Sequence, residues 1–194
     1  MMTPALILAS ASPRRVALLQ QIEVEFEQQV ADIDETYQKG ETAEEFVSRL
    51  SLEKAQAIRE KNSREMAVLG ADTIVVLAEQ ILGKPDDKQQ AAEMLSLLSG
   101  TTHQVMTAVT LITQKETQTR LSISNVTFAT LDKKLIEAYL ETGESMDKAG
   151  GYAIQGVAGQ FVSEMKGSYS GIMGLPLYET RSLLQAAGIR LLGS

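Results

Sequence analysis

The chain has no cysteine and no tryptophan, and a single histidine, in 194 residues. Without cysteine there is no disulfide, no zinc–thiolate centre and no thiol nucleophile. His103 lacks a second histidine to share a metal, and no G-x-S-x-G pattern supplies a serine nucleophile, so a structural role suits it and Ser-His-Asp hydrolysis is not indicated. An excess of positive charge is also missing: the net charge is -7 and the pI near 4.9, which argues against nucleic-acid backbone as the main partner. An acidic chain still binds a nucleotide if its few cations converge. No apolar run approaches the roughly 18 residues a membrane span needs. Met1-Met2-Thr3-Pro4 has no basic n-region, so no signal peptide is expected and a cytoplasmic location is.

Apolar residues make up 44% of the chain, enough for a real core, and the length suits one domain over 1–194, with room for two lobes. Ala5-Leu6-Ile7-Leu8-Ala9 reads as a buried strand. Ser10-Ala11-Ser12-Pro13-Arg14-Arg15 follows it, with Ser12 as N-cap and Pro13 at the first helical position. Two arginines in a first turn stand at the wrong end of the helix dipole unless an anion joins them. An anion site and a plain helix with two solvated arginines both fit this fragment.

Helical spacing continues over about 13–22, and Val24 to Val30 alternates as a strand. Thr42 and Glu45 form a capping box for a long helix to about Lys61. Ala67-Val68-Leu69 opens a strand that Gly70-Ala71-Asp72-Thr73 interrupts and Ile74 to Leu77 resumes. A helix is expected over about Asp87 to Leu98, stopping at Gly100. Thr102 to Thr113 and Thr117 to Thr130 read as long strands joined tightly, hence antiparallel. A helix from Asp132 to Glu141 stops at Gly143. Gln160 to Met165 reads as a strand, Gly167-Ser168-Tyr169 as a turn, and Leu175 to Ala187 as a last helix. Interleaved strands and helices of this kind indicate α/β or α+β with a mixed sheet.

Asp72 is the second strong signal. A carboxylate in an apolar strand is costly unless it is bonded, paired or metal-bound. It reads as a general base or metal ligand; the plain alternative is a bulge in which Asp72 bonds its own backbone. Asp32, Asp34 and Glu35 offer oxygen donors for a hard cation, or simply a solvated acidic loop. Lys54 and Lys84 taken alone read as surface lysines. Gly150, Gly151, Gly156 and Gly159 match neither a P-loop nor a dinucleotide fingerprint, so they cradle phosphate or only shape turns. Gln155 carries an amide able to read a base edge or to end a strand.

Taken together, Leu8-Ala9-Ser10 through Pro13-Arg14-Arg15, Asp34-Glu35, Glu53-Lys54-Ala55, Gly70-Ala71-Asp72-Thr73, Gly83-Lys84-Pro85, Leu98-Ser99-Gly100 with His103, and Gly174-Leu175-Pro176 resemble the Maf family of nucleoside triphosphate pyrophosphatases, also described as septum-formation inhibitors. The motifs run in order across nearly the whole chain. Arg14, Arg15, Thr73 and the stretch Asp147-Lys148-Ala149-Gly150 to Gln155-Gly156 resemble the branch acting on dTTP and UTP. A sister branch acting on 7-methyl-GTP places a tryptophan beside the proline of the first motif, and this chain has none. Glu23 departs from the pattern, standing where many members have glycine.

The resemblance implies an elongated, twisted mixed sheet with flanking helices, two lobes around a deep cleft, similar to the inosine-triphosphatase architecture. It implies hydrolysis of a nucleoside triphosphate to monophosphate and pyrophosphate with Mg²⁺ or Mn²⁺, Glu35 and Asp72 being the metal ligands. Asp72 would accept the proton of the attacking water; Asp is a weak base at pH 7, so the metal supplies part of the activation. Lys54, Lys84, Arg14 and Arg15 would neutralise phosphate charge, and Ser10, Arg14, Arg15, Thr73 and Gln155 would bind and select the substrate. The expected partner is the nucleotide, with no nucleic acid and no membrane; the apolar Ile189-Arg190-Leu191-Leu192 leaves a homodimer open. Two other readings are weighed against this one. A purine-directed pyrophosphatase acting on inosine or xanthosine triphosphate shares the reaction, and Arg14, Thr73 and Gln155 argue against it. A non-enzymatic regulator of septation needs fewer convergent charges than this chain carries.

Overall fold

The computed structural model describes residues 6–62 and 66–192, so Ala5 of the first expected strand, with Met1 to Pro4, lies outside the described residues. Strand β1 (Leu6–Ala9) is buried at all four positions. It pairs in parallel on both sides, with β2 (Glu27–Gln29) and with β3 (Ala67–Leu77). A strand covered this way needs apolar residues without alternation, which is how Leu6 to Ala9 reads. The seven-stranded sheet runs β2-β1-β3-β5-β6-β7, with β4 (Gln80–Leu82) antiparallel to β3. Strands β5 (Thr102–Ile112) and β6 (Thr117–Phe128) are neighbours in it, and β7 (Val162–Lys166) is antiparallel to β6. Hydroxyl contacts Thr110–Thr119 and Thr102–Thr127, with Thr113 N–H on Glu116 O, fix one antiparallel register for β5 and β6. The sheet is therefore mixed, as expected.

Among the described residues six α-helices accompany it: α1 (Pro13–Gln21), α2 (Ala43–Arg59), α3 (Lys88–Leu98), α4 (Lys133–Glu141), α5 (Tyr169–Met173) and α6 (Leu177–Ala186). The capping box of α2 is present in both directions: Thr42 accepts from Glu45 N–H while the Glu45 carboxylate accepts from Thr42 N–H. Asp87 and Asp132 cap α3 and α4 in one direction only, their carboxylates accepting from Gln90 and Leu135 N–H. None of the helices among the described residues is long and apolar enough to cross a membrane.

The chain forms two compact units. The first comprises Met1–Asp72, Thr107–Ser122 and Gly174–Ser194; the second comprises Thr73–Met106 and Ile123–Met173. In the first, Ile7 and Ala9 of β1 pack with Ala55 and Ile58 of α2, Val68 and Ile112. In the second, Leu95 and Leu98 of α3 join Phe128, Tyr139 and Phe161 in an apolar cluster. Phe161 meets both Phe128 and Tyr139 edge-on.

Several expectations need correction. Strand β3 runs unbroken through Gly70-Ala71-Asp72-Thr73. Gly70 is there because α2 lies directly against it: a Cβ at that position would collide with Ser51 O and Ala55. The strand expected over Val24 to Val30 shrinks to Glu27–Gln29, because it forms the outer edge of the sheet. Gln160 and Phe161 belong to a 3-10 turn, Val157–Phe161, that leads into β7. Tyr169 opens a short helix rather than ending a turn. Strand β4 was not foreseen: the hairpin joining it to β3 turns at Ala78 and Glu79, both at positive φ (46° and 70°), where asparagine and glycine are the usual signal.

Candidate active site

Ser10 follows β1 directly and is only 5% exposed. Its Oγ accepts from Ser12 N–H at 3.1 Å and from Arg15 Nη1 at 3.2 Å. Arg15 Nε donates to Gly174 O at 2.8 Å, so a residue 159 positions away along the chain fixes the other edge of its fork. Ser12 caps α1, Pro13 opens it, and the first turn holds no acidic residue. Burial lowers the pKa of Arg14 and of Arg15 from the usual 12.5. At Arg15 the Asp72 carboxylate opposes that shift, Arg14 adds to it, and Glu35 opposes it again. Arginine stays protonated throughout, so α1 begins with two partly desolvated cations.

Asp72 lies within β3 and Lys54 on α2, 6% and 8% exposed. Lys54 Nζ donates to Asp72 Oδ1 at 2.6 Å and stands 2.8 Å from Glu35 Oε1. This answers the question Asp72 poses in sequence. The carboxylate is paired, with an ammonium that is buried as deeply as itself. Lys54 is no surface lysine.

Glu35 comes from the loop before α2, and Arg49 of α2 holds that loop. Its guanidinium donates to Thr36 O at 3.1 Å, binds Glu41 through Nε and Nη2, and reaches Glu53 Oε2 at 3.1 Å. The Glu41 hydrogen bond above all, and the Glu53 bond after it, raise the Arg49 pKa against the effect of burial. Asp34 serves the loop itself, accepting from Thr36 N–H and Oγ1; these bonds hold its carboxyl below the usual range. Glu35 is thus the member of the acidic segment that meets Lys54, the partner of Asp72.

Ser10, Arg14, Arg15, Glu35, Lys54 and Asp72 all lie in the first unit; Thr73, Lys84 and Gln155 lie in the second. Thr73 follows Asp72 on β3 and is half-buried. Lys84 is exposed in the Gly83-Lys84-Pro85 loop, and Gly150 N–H donates to Gly83 O at 3.0 Å, so the glycine-rich stretch docks on that loop. Gly150 is at φ 69°, and a Cβ there would crowd Val75 at 3.1 Å. Gln155 is exposed in a turn, not at a strand end. His103 is 1% exposed and bonded to Tyr152 Oη at 2.8 Å, with Phe128 against both rings. Burial pushes its pKa down to about 4, so it is neutral at pH 7 and structural.

Sequence reasoning missed Arg49 and the contact of the Gly174 carbonyl with Arg15. Arg49 announces itself only as an i,i+4 partner of Glu53.

Two carboxylates converging on one cation are the donor set that a hard divalent ion shares with phosphate oxygens. Among the described residues no group of three or more His, Cys, Asp or Glu is placed to hold a metal by itself. Glu35 and Asp72 offer two oxygen donors, so a divalent ion at this place would need further ligands from outside these two residues.

The chain is 51% identical over 187 residues to the dTTP/UTP pyrophosphatase of Colwellia psychrerythraea, covering 94% of this chain and 88% of that one. It is 52% identical over 179 residues to the dTTP/UTP pyrophosphatase of Salmonella typhimurium, covering 92% and 91%. Among solved structures, the Ham1 protein of Staphylococcus aureus is similar with a TM-score of 0.50 at 15% identity, over 93% of this chain and 96% of that one, and so shares the fold. The family model described as Maf-like protein matches residues 5–187. With that span and these relatives, the chain belongs to the Maf-like protein family.

Proposed function

We propose that this protein, acting as one Maf-like domain over 1–194, hydrolyses dTTP and UTP to the nucleoside monophosphate and pyrophosphate. The observation that carries the reading is the buried Lys54–Asp72 pair, which the exposed Glu35 joins through the same ammonium, beside the partly desolvated Arg14 and Arg15. A solvated surface has no use for this arrangement. A reaction that gathers negative charge on phosphate oxygens does.

In this account the oxygen of a water molecule attacks the α-phosphorus and Asp72 takes its proton. The bond to the oxygen bridging the α- and β-phosphorus atoms breaks, and pyrophosphate leaves with that electron pair. Glu35 and Asp72 would hold a divalent cation, Mg²⁺ or Mn²⁺, which would supply positive charge against the phosphates and help to acidify the attacking water. Lys54 shifts its contact from carboxylate to phosphate oxygen as the charge builds. Arg15, its fork held by Ser10 and Gly174, sets its positive charge against the phosphates, and Arg14 and Lys84 add further charge. Thr73 and Gln155 select the base, the Gln155 amide pairing with the carbonyl and N–H on a pyrimidine edge.

The Asp72→Asn variant tests the reading. It removes the proton acceptor while Lys54 keeps Glu35 as a partner. Pyrophosphate release should fall by at least about a hundredfold, the scale of a lost general base, with nucleotide binding retained. Release within a few-fold of the parent rate would contradict the assignment.

A further inference from the structure

The turn that carries Gln155 is held by a carboxylate from elsewhere in the second unit. Ala153 O accepts from Gly156 N–H at 3.0 Å, which leaves Ile154 and Gln155 at the tip of a four-residue turn. The 3-10 turn Val157–Phe161 follows at once, without a side-chain cap of its own. Its first two N–H groups are bound by Glu144: Val157 N–H donates to Oε2 at 2.8 Å and Ala158 N–H to Oε1 at 3.1 Å. Tyr139 Oη donates to the same Oε1 at 3.1 Å. Glu144 is itself fixed just beyond α4, where its N–H donates to Thr142 Oγ1 at 3.2 Å. Gly156 is the residue that permits this, because a Cβ there would overlap the Glu144 carboxylate. The glycine after Gln155 is thus not needed for a positive φ.

We infer that Glu144 is a specificity-positioning residue: its carboxylate, gripping two successive amides beyond Gln155, fixes the direction in which the Gln155 amide meets the base. The inference rests on the proposed role of Gln155. A base-reading amide discriminates only while its donor and acceptor stay registered with the base edge, so a loosened turn costs selectivity before it costs chemistry.

Three variants test this: Glu144→Gln, Tyr139→Phe and Gln155→Ala, each measured for kcat and KM with UTP and with a purine triphosphate. A glutamine at 144 offers one acceptor oxygen where the carboxylate offers two, and turns an NH2 group toward N–H donors. We expect the UTP-over-purine ratio of kcat/KM to fall on the order of tenfold in Glu144→Gln, through KM. Tyr139→Phe, which keeps both amide bonds, should shift the ratio in the same direction by less, and it carries the test if Glu144→Gln does not fold. Hydrogen exchange at Val157 and Ala158 should quicken in Glu144→Gln. Equal losses on both substrates, or unchanged exchange at the two amides, would make Glu144 merely structural and overturn the inference. A ratio that falls in Gln155→Ala but not in the Glu144 or Tyr139 variants would overturn it while sparing the reading of Gln155. An unchanged ratio in Gln155→Ala would remove that reading, and this inference with it.

Discussion

Lys54 Nζ lies 2.6 Å from Asp72 Oδ1, with neither side chain more than 10% exposed. A buried pair of this kind contributes little relative to an apolar replacement of the whole pair, but losing one partner leaves a charge stranded. The two partners are not equivalent. Removing Asp72 leaves Lys54 bound to Glu35, whereas removing Lys54 leaves the two carboxylates facing each other. Lys54→Met should therefore destabilise the fold by about 3 kcal/mol at neutral pH, and Asp72→Asn by clearly less. Urea unfolding of both variants checks the order.

Arg49 makes a second prediction. It ties the acidic loop to α2 through Thr36 O, one residue from Glu35. Arg49→Lys keeps the charge but not the fork, so it cannot bind Glu41, Glu53 and Thr36 together. The metal concentration needed for half-maximal pyrophosphate release should rise severalfold in Arg49→Lys, as it should in Glu35→Gln. An unchanged metal titration in Glu35→Gln would remove that residue from the site.

A third concerns the backbone. Glu23, the departure from the family pattern, lies at φ 57° immediately after α1, with its N–H on Gln20 O. A helix ending this way favours glycine at the left-handed position. Glu23→Gly should stabilise the protein by up to about 1 kcal/mol without altering turnover. The same reasoning makes Glu79→Gly, at φ 70° in the β3–β4 hairpin, stabilising. Thermal melts of the two variants decide it.

These positions also show where sequence reading succeeds and where it stops. Thr42 with Glu45, Asp132 before α4, and the unbroken apolar run of β1 are local signals, and the structure carries each as read. Gly70 misled because a glycine within a strand pattern looks like a break, while the cause is a helix crossing it from elsewhere in the sequence. Strand β4 stayed hidden because Ala78 and Glu79 lack turn chemistry. Lys54 looked like a surface lysine because its partners stand 18 residues after it and 19 before it, and only folding brings them together. The contacts of Arg49 with Thr36 O and of Glu144 with Val157 and Ala158 N–H are to backbone groups, which no side-chain pattern records.

His103 gives a pH prediction. Its pKa is about 4 in the folded chain against 6.5 when unfolded, so below pH 6.5 the unfolded state binds the extra proton. The stability that neutral His103 contributes is complete above pH 6.5 and is lost as pH falls towards 4, by up to about 1.4 kcal/mol per unit. Replacing His103 with glutamine should flatten that slope between pH 6.5 and 4, whatever its effect at pH 7. Urea midpoints measured across this range in both proteins provide the check.

Pyrophosphate release from a panel of nucleoside triphosphates, with and without Mg²⁺ or Mn²⁺, decides both the reaction and its specificity. Metal-dependent release from dTTP and UTP, with little from purine triphosphates, is the result this account predicts. Release chiefly from inosine or xanthosine triphosphate would contradict the assigned specificity, and no release from any triphosphate would contradict the reaction itself.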